Sequence, residues 1–222
     1  MKRRIWLGFI LGMVLLCLGA ASLAEPAVQP YLAEIARITK QSGDYETWPP
    51  DEKRALLQSM EEKGLVDAET AHALSAGPEA EIDAFVLKRY APPHDPNALN
   101  AISLYRIAWV ELGDYTYWPN ETWVWFTDMM FDAGLWTDKS DVDVYETPGE
   151  DAIPPDTAIE LAKRQLLRGG VTEDEVEQAQ IIWQYMTHAG DVERKELKYL
   201  ITFRNPDGQD RHVWITPDGR AL

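Results

Sequence analysis

The sequence predicts an α+β fold, with an N-terminal all-α region of duplicated helices followed by a small C-terminal domain of a helix and an antiparallel sheet. Through residues 27–136, apolar residues recur every three or four positions, as on one face of a helix. Beyond residue 180 they alternate instead, which is typical of strands that bury one face. The alternating residues are Ile181, Trp183, Tyr185, Leu197, Tyr199, Ile201 and Phe203.

Composition and charge limit the class of protein. Of the 222 residues, 45% are hydrophobic and 26% are charged, as in ordinary globular proteins. The 37 acidic and 21 basic residues give a net charge of −16, so we expect no nucleic-acid partner, because phosphate binding needs clustered Lys and Arg. The one cysteine, Cys17, excludes a disulfide scaffold and a thiolate metal site. We expect no cofactor and no metal.

The N-terminal segment, 1–24, has the pattern of a signal peptide. Basic residues 2–4 precede an uncharged apolar run over residues 5–21, and Ser22-Leu23-Ala24 places small residues at a cleavage site. We predict a secreted or extracellular, cell-envelope protein that begins at Glu25 and has no membrane contact after cleavage. An uncleaved anchor is the alternative, since the run approaches the length of a membrane-spanning helix.

One motif, Gly-Asp-Tyr-x-x-Trp-Pro, begins at Gly43 and occurs again from Gly113. At the same spacing, without gaps, eight of the 23 residues from Gly43 to Leu65 are identical to those from Gly113 to Leu135. Each copy predicts a helix, a tight corner and a second helix, because glycine ends a helix and the residue before proline is extended. We predict repeats at about residues 27–66 and 97–136, within a helical domain over residues 25–136.

Further start and stop signals predict the other helices. In the second copy, apolar residues at helical spacing from Leu99 to Leu112 predict a helix that ends at Gly113. Asp67 is the predicted cap of a short helix and Pro78 precedes another. Pro155 begins the helix of the C-terminal domain, residues 155–222.

An acidic linker is predicted between the two domains, over residues 137–154. The segment is rich in Asp, Glu, Pro and Gly and has little apolar periodicity. A calcium loop that began at Asp138 would need glycine at its sixth position and glutamate at its twelfth. The sequence has Asp143 and Gly149 at these positions, so a solvated linker is the prediction.

No catalytic residue is predicted. The four histidines lack the spacing of a helical metal site, and no nucleophile elbow or phosphate loop is present. The carboxylates Glu52, Glu61, Glu121 and Asp128 could supply a glycosidase-like pair, but in so acidic a chain we expect them on solvated faces.

The repeated corners provide the candidate binding residues. Tryptophan suits both stacking on sugars and anchoring protein interfaces. It also packs well in a core that lacks disulfides, and we predict this structural role for the two corner tryptophans. The six candidate residues are Asp44, Tyr45, Trp48, Asp114, Tyr115 and Trp118.

The C-terminal third resembles a PepSY-type domain. The resemblance lies in a helix and antiparallel strands that end in His212-Val213-Trp214-Ile215-Thr216-Pro217-Asp218-Gly219-Arg220-Ala221-Leu222. PepSY domains occur in secreted bacterial proteins and in propeptides of thermolysin-type metallopeptidases, where they are associated with inhibition or chaperoning. The Gly-Asp-Tyr-x-x-Trp-Pro copies also resemble uncharacterised secreted proteins of Gram-positive bacteria.

Two functions follow as expectations. The resemblance implies a secreted, non-enzymatic binding or inhibitory protein whose partner is another extracellular protein, such as a peptidase. An exposed strand edge in the C-terminal sheet could accept the backbone of that partner. The alternative is a cell-surface carbohydrate or cell-wall binding module, with or without hydrolytic activity, that uses the repeated aromatic residues.

Overall fold

A computed structural model describes residues 25–139, 142–189 and 196–222, so the predicted signal peptide lies outside the described residues. The predicted α+β class is confirmed, with helices followed by a four-stranded antiparallel sheet. The helices are α1 (Glu25–Ser42), α2 (Pro50–Glu62), α3 (Ala68–Ala76), α4 (Glu79–Tyr90), α5 (Leu104–Leu112), α6 (Asn120–Asp132), α7 (Pro155–Arg168) and α8 (Glu173–Gln178). The strands are β1 (Val144–Tyr145), β2 (Gln180–Thr187), β3 (Lys198–Arg204) and β4 (Asp210–Ile215).

The chain divides into two compact units, Met1–Gly113 and Asp114–Leu222. This boundary lies before the predicted linker, residues 137–154, because α6, which was predicted to belong to the helical domain 25–136, and part of the acidic segment both belong to the second unit. Val144 and Tyr145 form β1 and are buried. A strand of two residues shows no periodicity in the sequence, and the acidic composition around it therefore led to the prediction of a linker.

The first unit, described from residue 25 onward, is a set of helices α1 to α5 around an apolar core. Asp67 caps α3 as predicted, since its carboxylate accepts a hydrogen bond from the Thr70 amide at 2.8 Å. The core consists mainly of Tyr31, Leu32, Ile35, Ile38, Leu56, Leu57, Met60, Ile82, Val86, Tyr90 and Ile107.

The helix that ends at Gly113 is shorter than predicted. It begins at Leu104, whereas Leu99–Ala101 forms a separate 3₁₀ turn. The predicted start at Leu99 is therefore wrong. The physical reason is Ser103, which has an extended backbone and accepts a hydrogen bond from the Arg106 amide at 3.3 Å, so that it caps a new helix.

The first corner (residues 43–49) and the second corner (residues 113–119) have the same local conformation. Each begins with a glycine at positive φ, 77° at Gly43 and 86° at Gly113. A 3₁₀ turn follows, then an extended tryptophan and a proline, and then a helix of 13 residues. The difference between the corners therefore lies in what their side chains contact.

The second unit is built on a sheet with strand order β1-β2-β3-β4. Helix α7, which begins at Pro155 as predicted, covers one face, and the capping box of Thr172 and Glu175 begins α8. Tyr117 and Gln184 bring the second corner to the other face: the Tyr117 hydroxyl donates to Asp210 at 2.7 Å, and the Gln184 amide donates to the Trp118 carbonyl at 3.0 Å. The core on the α7 face comprises Ala158, Ala162, Val176, Tyr185, Tyr199, Ile201, Phe203, Val213 and Ile215.

No helix among residues 25–139, 142–189 and 196–222 is long and apolar enough to cross a membrane.

Candidate functional site

The two corner tryptophans are buried, with 3% of each residue exposed. The Trp48 indole N–H donates a hydrogen bond to the Gly43 carbonyl at 2.8 Å, so the ring closes its own corner. The Trp118 ring lies 4.8 Å from that of Trp123 and 5.2 Å from that of Phe126. Both tryptophans are therefore core residues, and neither presents a ring face to a ligand.

The four other candidate residues differ between the corners. Tyr45 is buried and its hydroxyl donates to Asp83 at 2.9 Å, whereas Tyr115 is 47% exposed. Asp114 accepts a hydrogen bond from the Thr116 amide at 2.9 Å and so tightens its own turn. Asp44 lies exposed at the equivalent position without a cap bond. Of the six candidates, Tyr115 is the large aromatic residue that solvent reaches.

The first corner is bound to α4 by a buried cation. Lys53 has only 3% of its side chain exposed, and its ammonium group lies 2.7 Å from Glu79 and 2.8 Å from Asp83. It also lies 5.1 Å from the centre of the Tyr45 ring. Burial by itself would lower the pKa of Lys53, but the bonds to Asp83 and Glu79 outweigh it and raise the pKa, so the cation is retained.

Helix α6, which follows the second corner, differs from α2 at two positions that contact the sheet. Trp123 takes the place of Lys53 and stacks on Tyr145 of β1, with ring centres 4.3 Å apart and planes 7° apart. Asn120 takes the place of Pro50 and is buried. Through these two residues, α6 contacts both β1 and β2 of the sheet.

Asn120 fixes the point where β1 leaves β2. Its side-chain oxygen accepts the Tyr185 amide hydrogen at 2.7 Å, and its side-chain nitrogen donates to the Glu146 carbonyl at 3.0 Å. The side-chain amide of Asn120 therefore makes, with the backbone of β2, a hydrogen bond that the next residue of β1 would otherwise make. Sequence reasoning missed this contact, although the change from proline to asparagine between otherwise similar copies was a usable signal.

The sheet edge beyond Asn120 has no neighbouring strand in the described part of the chain. β1 pairs with β2 only at Met186 and Thr187, and the Glu146 amide donates to the Tyr185 carbonyl. The backbone of Tyr185 thus faces the β1 side, and residues two apart in a strand face the same way. Because β2 pairs with β3 without a bulge, Ile181 and Trp183 also face outward, with no strand partner among the residues that the structure describes.

The opposite edge of the sheet, at β4, is protected. The Leu222 amide donates to the Trp214 carbonyl at 3.0 Å, so the C-terminal residues cover part of β4. The rest of that edge is Asp210-Arg211-His212, and ionisable side chains on an edge oppose pairing with another chain. The open stretch of β2, residues 180–183, carries no charged side chain.

A groove of about 400 Å³ lies beside the open stretch of β2, on the α7 face of the sheet. Its apolar lining comes from Leu167, Val176 and Ile181, and Leu167 is among the exposed large apolar residues. Its rim is charged, with side chains from α7 and α8. We call the open stretch and this groove together the β2 edge site.

A polar cluster in the first unit was also missed by sequence reasoning. Tyr90 donates to Glu111 at 2.6 Å, its oxygen lies 2.8 Å from that of Tyr31, and Arg89 pairs with Glu111 at 2.8 Å. Burial raises the pKa of both tyrosines well above the ordinary value. The cluster links α1, α4 and α5, and its phenols stay neutral at physiological pH.

No group of three or more His, Cys, Asp or Glu side chains that could hold a metal ion occurs in the described ranges. No family model, curated protein or solved structure matches the chain. The PepSY resemblance of residues 155–222 therefore stays a prediction.

Proposed function

We propose that this chain is a secreted, non-enzymatic binding protein that holds an extended segment of another extracellular protein along β2, as an added strand. The observation that carries the proposal is the open stretch at residues 180–183, where outward-facing backbone groups lie beside a groove with an apolar lining and a charged rim. Strand addition of this kind obtains affinity from main-chain hydrogen bonds and specificity from pockets for alternate side chains.

The two edges of the sheet favour β2 as the site. Natural edge strands avoid pairing through charged residues, covering segments or short length. β4 has the first two of these protections, whereas the stretch Gln180-Ile181-Ile182-Trp183 has neither among the described residues. An uncharged edge that has no strand partner among the described residues favours a binding surface at β2.

The PepSY resemblance supports the same class of function. Members of that family in propeptides are associated with inhibition or chaperoning of peptidases, which are extracellular protein partners. An extracellular peptidase that presents an extended segment to β2 is therefore the partner class that we propose for an inhibitory role.

The experiment uses a proline on each edge. Proline is tolerated on an edge strand where the N–H faces solvent, and it removes the donor that a partner strand needs. Peptides selected from a displayed random heptapeptide library on the purified protein should bind the wild type and lose binding to Ile181→Pro. His212→Pro is the matched control, because it removes an outward N–H from β4 and leaves β2 intact.

The outcomes separate the two edges. Circular dichroism and thermal midpoints establish that both variants are folded. Equal binding of the selected peptides to wild type and Ile181→Pro, or failure to select any peptide, would contradict the proposal. Loss of binding in His212→Pro alone would assign the site to β4.

One observation favours the second function, carbohydrate binding. Tyr115 is 47% exposed and its ring lies 6.3 Å from that of Trp123, which provides an aromatic surface of the kind that stacks on sugars. A glycan array probed with wild type and Tyr115→Ala tests it. Binding that Tyr115→Ala abolishes would support this function, and the absence of any bound glycan would exclude it.

A further inference from the structure

The charges on the rim of the β2 edge site are unequal. The α8 side carries Glu173 and Glu177, both exposed. The α7 side carries Arg164, together with Lys163 and Glu160, which pair with each other at 2.7 Å. Beyond the Lys163–Glu160 pair, the lining therefore has two carboxylates on its α8 side and the Arg164 cation on its α7 side, so the α8 side is acidic.

A second copy of this chain does not suit the site. It would bring another net charge of −16 and a second pair of carboxylates, Glu173 and Glu177, toward the first. Like charges placed together across an interface oppose association, while opposite charges steer a partner into place. The occupant that the charges favour is a basic segment of a different protein.

Register assigns the positions in such a segment. An added strand places alternate side chains on one face, and those opposite Ile181 and Trp183 point to the α7 face, where the groove lies. All pairings within the sheet are antiparallel in the described residues, and we take the same direction for the partner. The residue two positions after the one opposite Ile181 then lies beside α8.

We infer that the β2 edge site binds an extended basic segment with an aliphatic side chain opposite Ile181 and a lysine or arginine two residues later, beside Glu173 and Glu177. This inference rests on the proposed strand addition and names the chemistry of the partner. The aliphatic side chain contacts Leu167 and Val176, which line the groove. The cation meets the acidic side of the rim.

The probe is the blocked hexapeptide acetyl-Thr-Val-Thr-Leu-Thr-Lys-amide, in which valine, leucine and lysine share one face. Titration of the purified protein, followed by amide chemical shifts and by calorimetry, gives the affinity at 20 mM salt. A second peptide with glutamate in place of lysine should bind roughly tenfold more weakly, because attraction to the rim becomes repulsion. At 1 M salt the two affinities should agree within about twofold, because the Debye length is then about 3 Å and the charges on the rim are largely screened from the peptide.

A double variant locates the charge effect. Glu173→Gln with Glu177→Gln should weaken the lysine peptide roughly fivefold and leave the difference between the two peptides small. Glu150→Gln is the control, since Glu150 is an exposed acid outside the groove and its loss should change neither affinity. The substitutions lie on exposed positions of α8, so the fold should be retained.

The outcomes distinguish this inference from the proposed function. Equal affinity of the two peptides at low salt, or no binding of the lysine peptide at millimolar concentration, would overturn the basic-segment inference. Loss of selected-peptide binding in Ile181→Pro would still support strand addition in either case. Binding of the lysine peptide that Ile181→Pro does not weaken would place that peptide away from β2 and would overturn the basic-segment inference alone.

Discussion

Replacing Asn120 by leucine should destabilise the second unit by about 2–4 kcal/mol. The substitution removes the partners of the Tyr185 amide and the Glu146 carbonyl, at a residue that is only 2% exposed. An unpaired buried backbone group costs about 1–3 kcal/mol, and Glu146 is half-buried, so it contributes toward the lower end. The loss arises from unpaired polar groups, since leucine and asparagine have similar size.

Asn120→Asp separates the two hydrogen bonds. A carboxylate still accepts the Tyr185 amide hydrogen but cannot donate to the Glu146 carbonyl, and burial would raise its pKa above the unfolded value. Below the unfolded pKa both states hold the proton, so the penalty relative to wild type should be small near pH 4 and should grow as the pH rises to 7.

Native-state amide hydrogen exchange measures these effects within each unit. The exchange free energy of the β3 amides Tyr199 and Ile201 should fall in Asn120→Leu, whereas that of Leu57 in the first unit should not change. Pro50→Asn, which places the second copy's residue at the start of α2, is the matched control and should change stability by less than about 0.5 kcal/mol. Unchanged exchange at Tyr199 and Ile201 in Asn120→Leu would refute the role of the Asn120 amide.

Three further predictions concern the helices and corners. Trp48→Ala and Trp118→Ala should each cost about 3–5 kcal/mol in chemical denaturation, because each removes a buried ring, and unchanged midpoints for both would contradict the structural role. Lys53→Met should cost about 1–3 kcal/mol through the acids left unpaired, with exposed Lys88→Met as a neutral control. Because the pKa of Tyr90 is raised in the folded state, its contribution to stability should be constant below about pH 10 and should fall above it by about 1.4 kcal/mol per pH unit. The pKa of Tyr31 is raised as well, so Tyr90→Phe should reduce the measured slope without abolishing it, and an identical slope would contradict the prediction.

Local signals in the sequence were sufficient for the fold class and most helix boundaries. The capping residue Asp67, the prolines before helices and the alternation in β2 and β3 each act within a few residues, so they can be read without the structure. The early start predicted at Leu99 shows the limit of periodicity, because the Ser103 cap divides one apolar pattern between a 3₁₀ turn and a helix.

The candidate site could be predicted only in part. A free strand edge in the C-terminal sheet was an expectation from the strand pattern, but its position depends on where β1 stops, and the Asn120 amide determines that. The groove depends on Leu167 of α7 meeting Val176 of α8 and Ile181 of β2, contacts that no spacing in the sequence reveals. The position of the free edge and the groove both depend on contacts between residues that are far apart in the sequence.

Hydrogen exchange at single amides of the sheet is the most direct test of strand addition at β2. In the free protein the outward amides of Ile181 and Trp183 should exchange quickly, while that of Ile182, which faces β3, should exchange slowly. Saturation with a library-selected peptide should slow exchange at Ile181 and Trp183 by at least tenfold and leave His212 on β4 unchanged. Protection at His212, or binding that leaves Ile181 and Trp183 unprotected, would contradict the account.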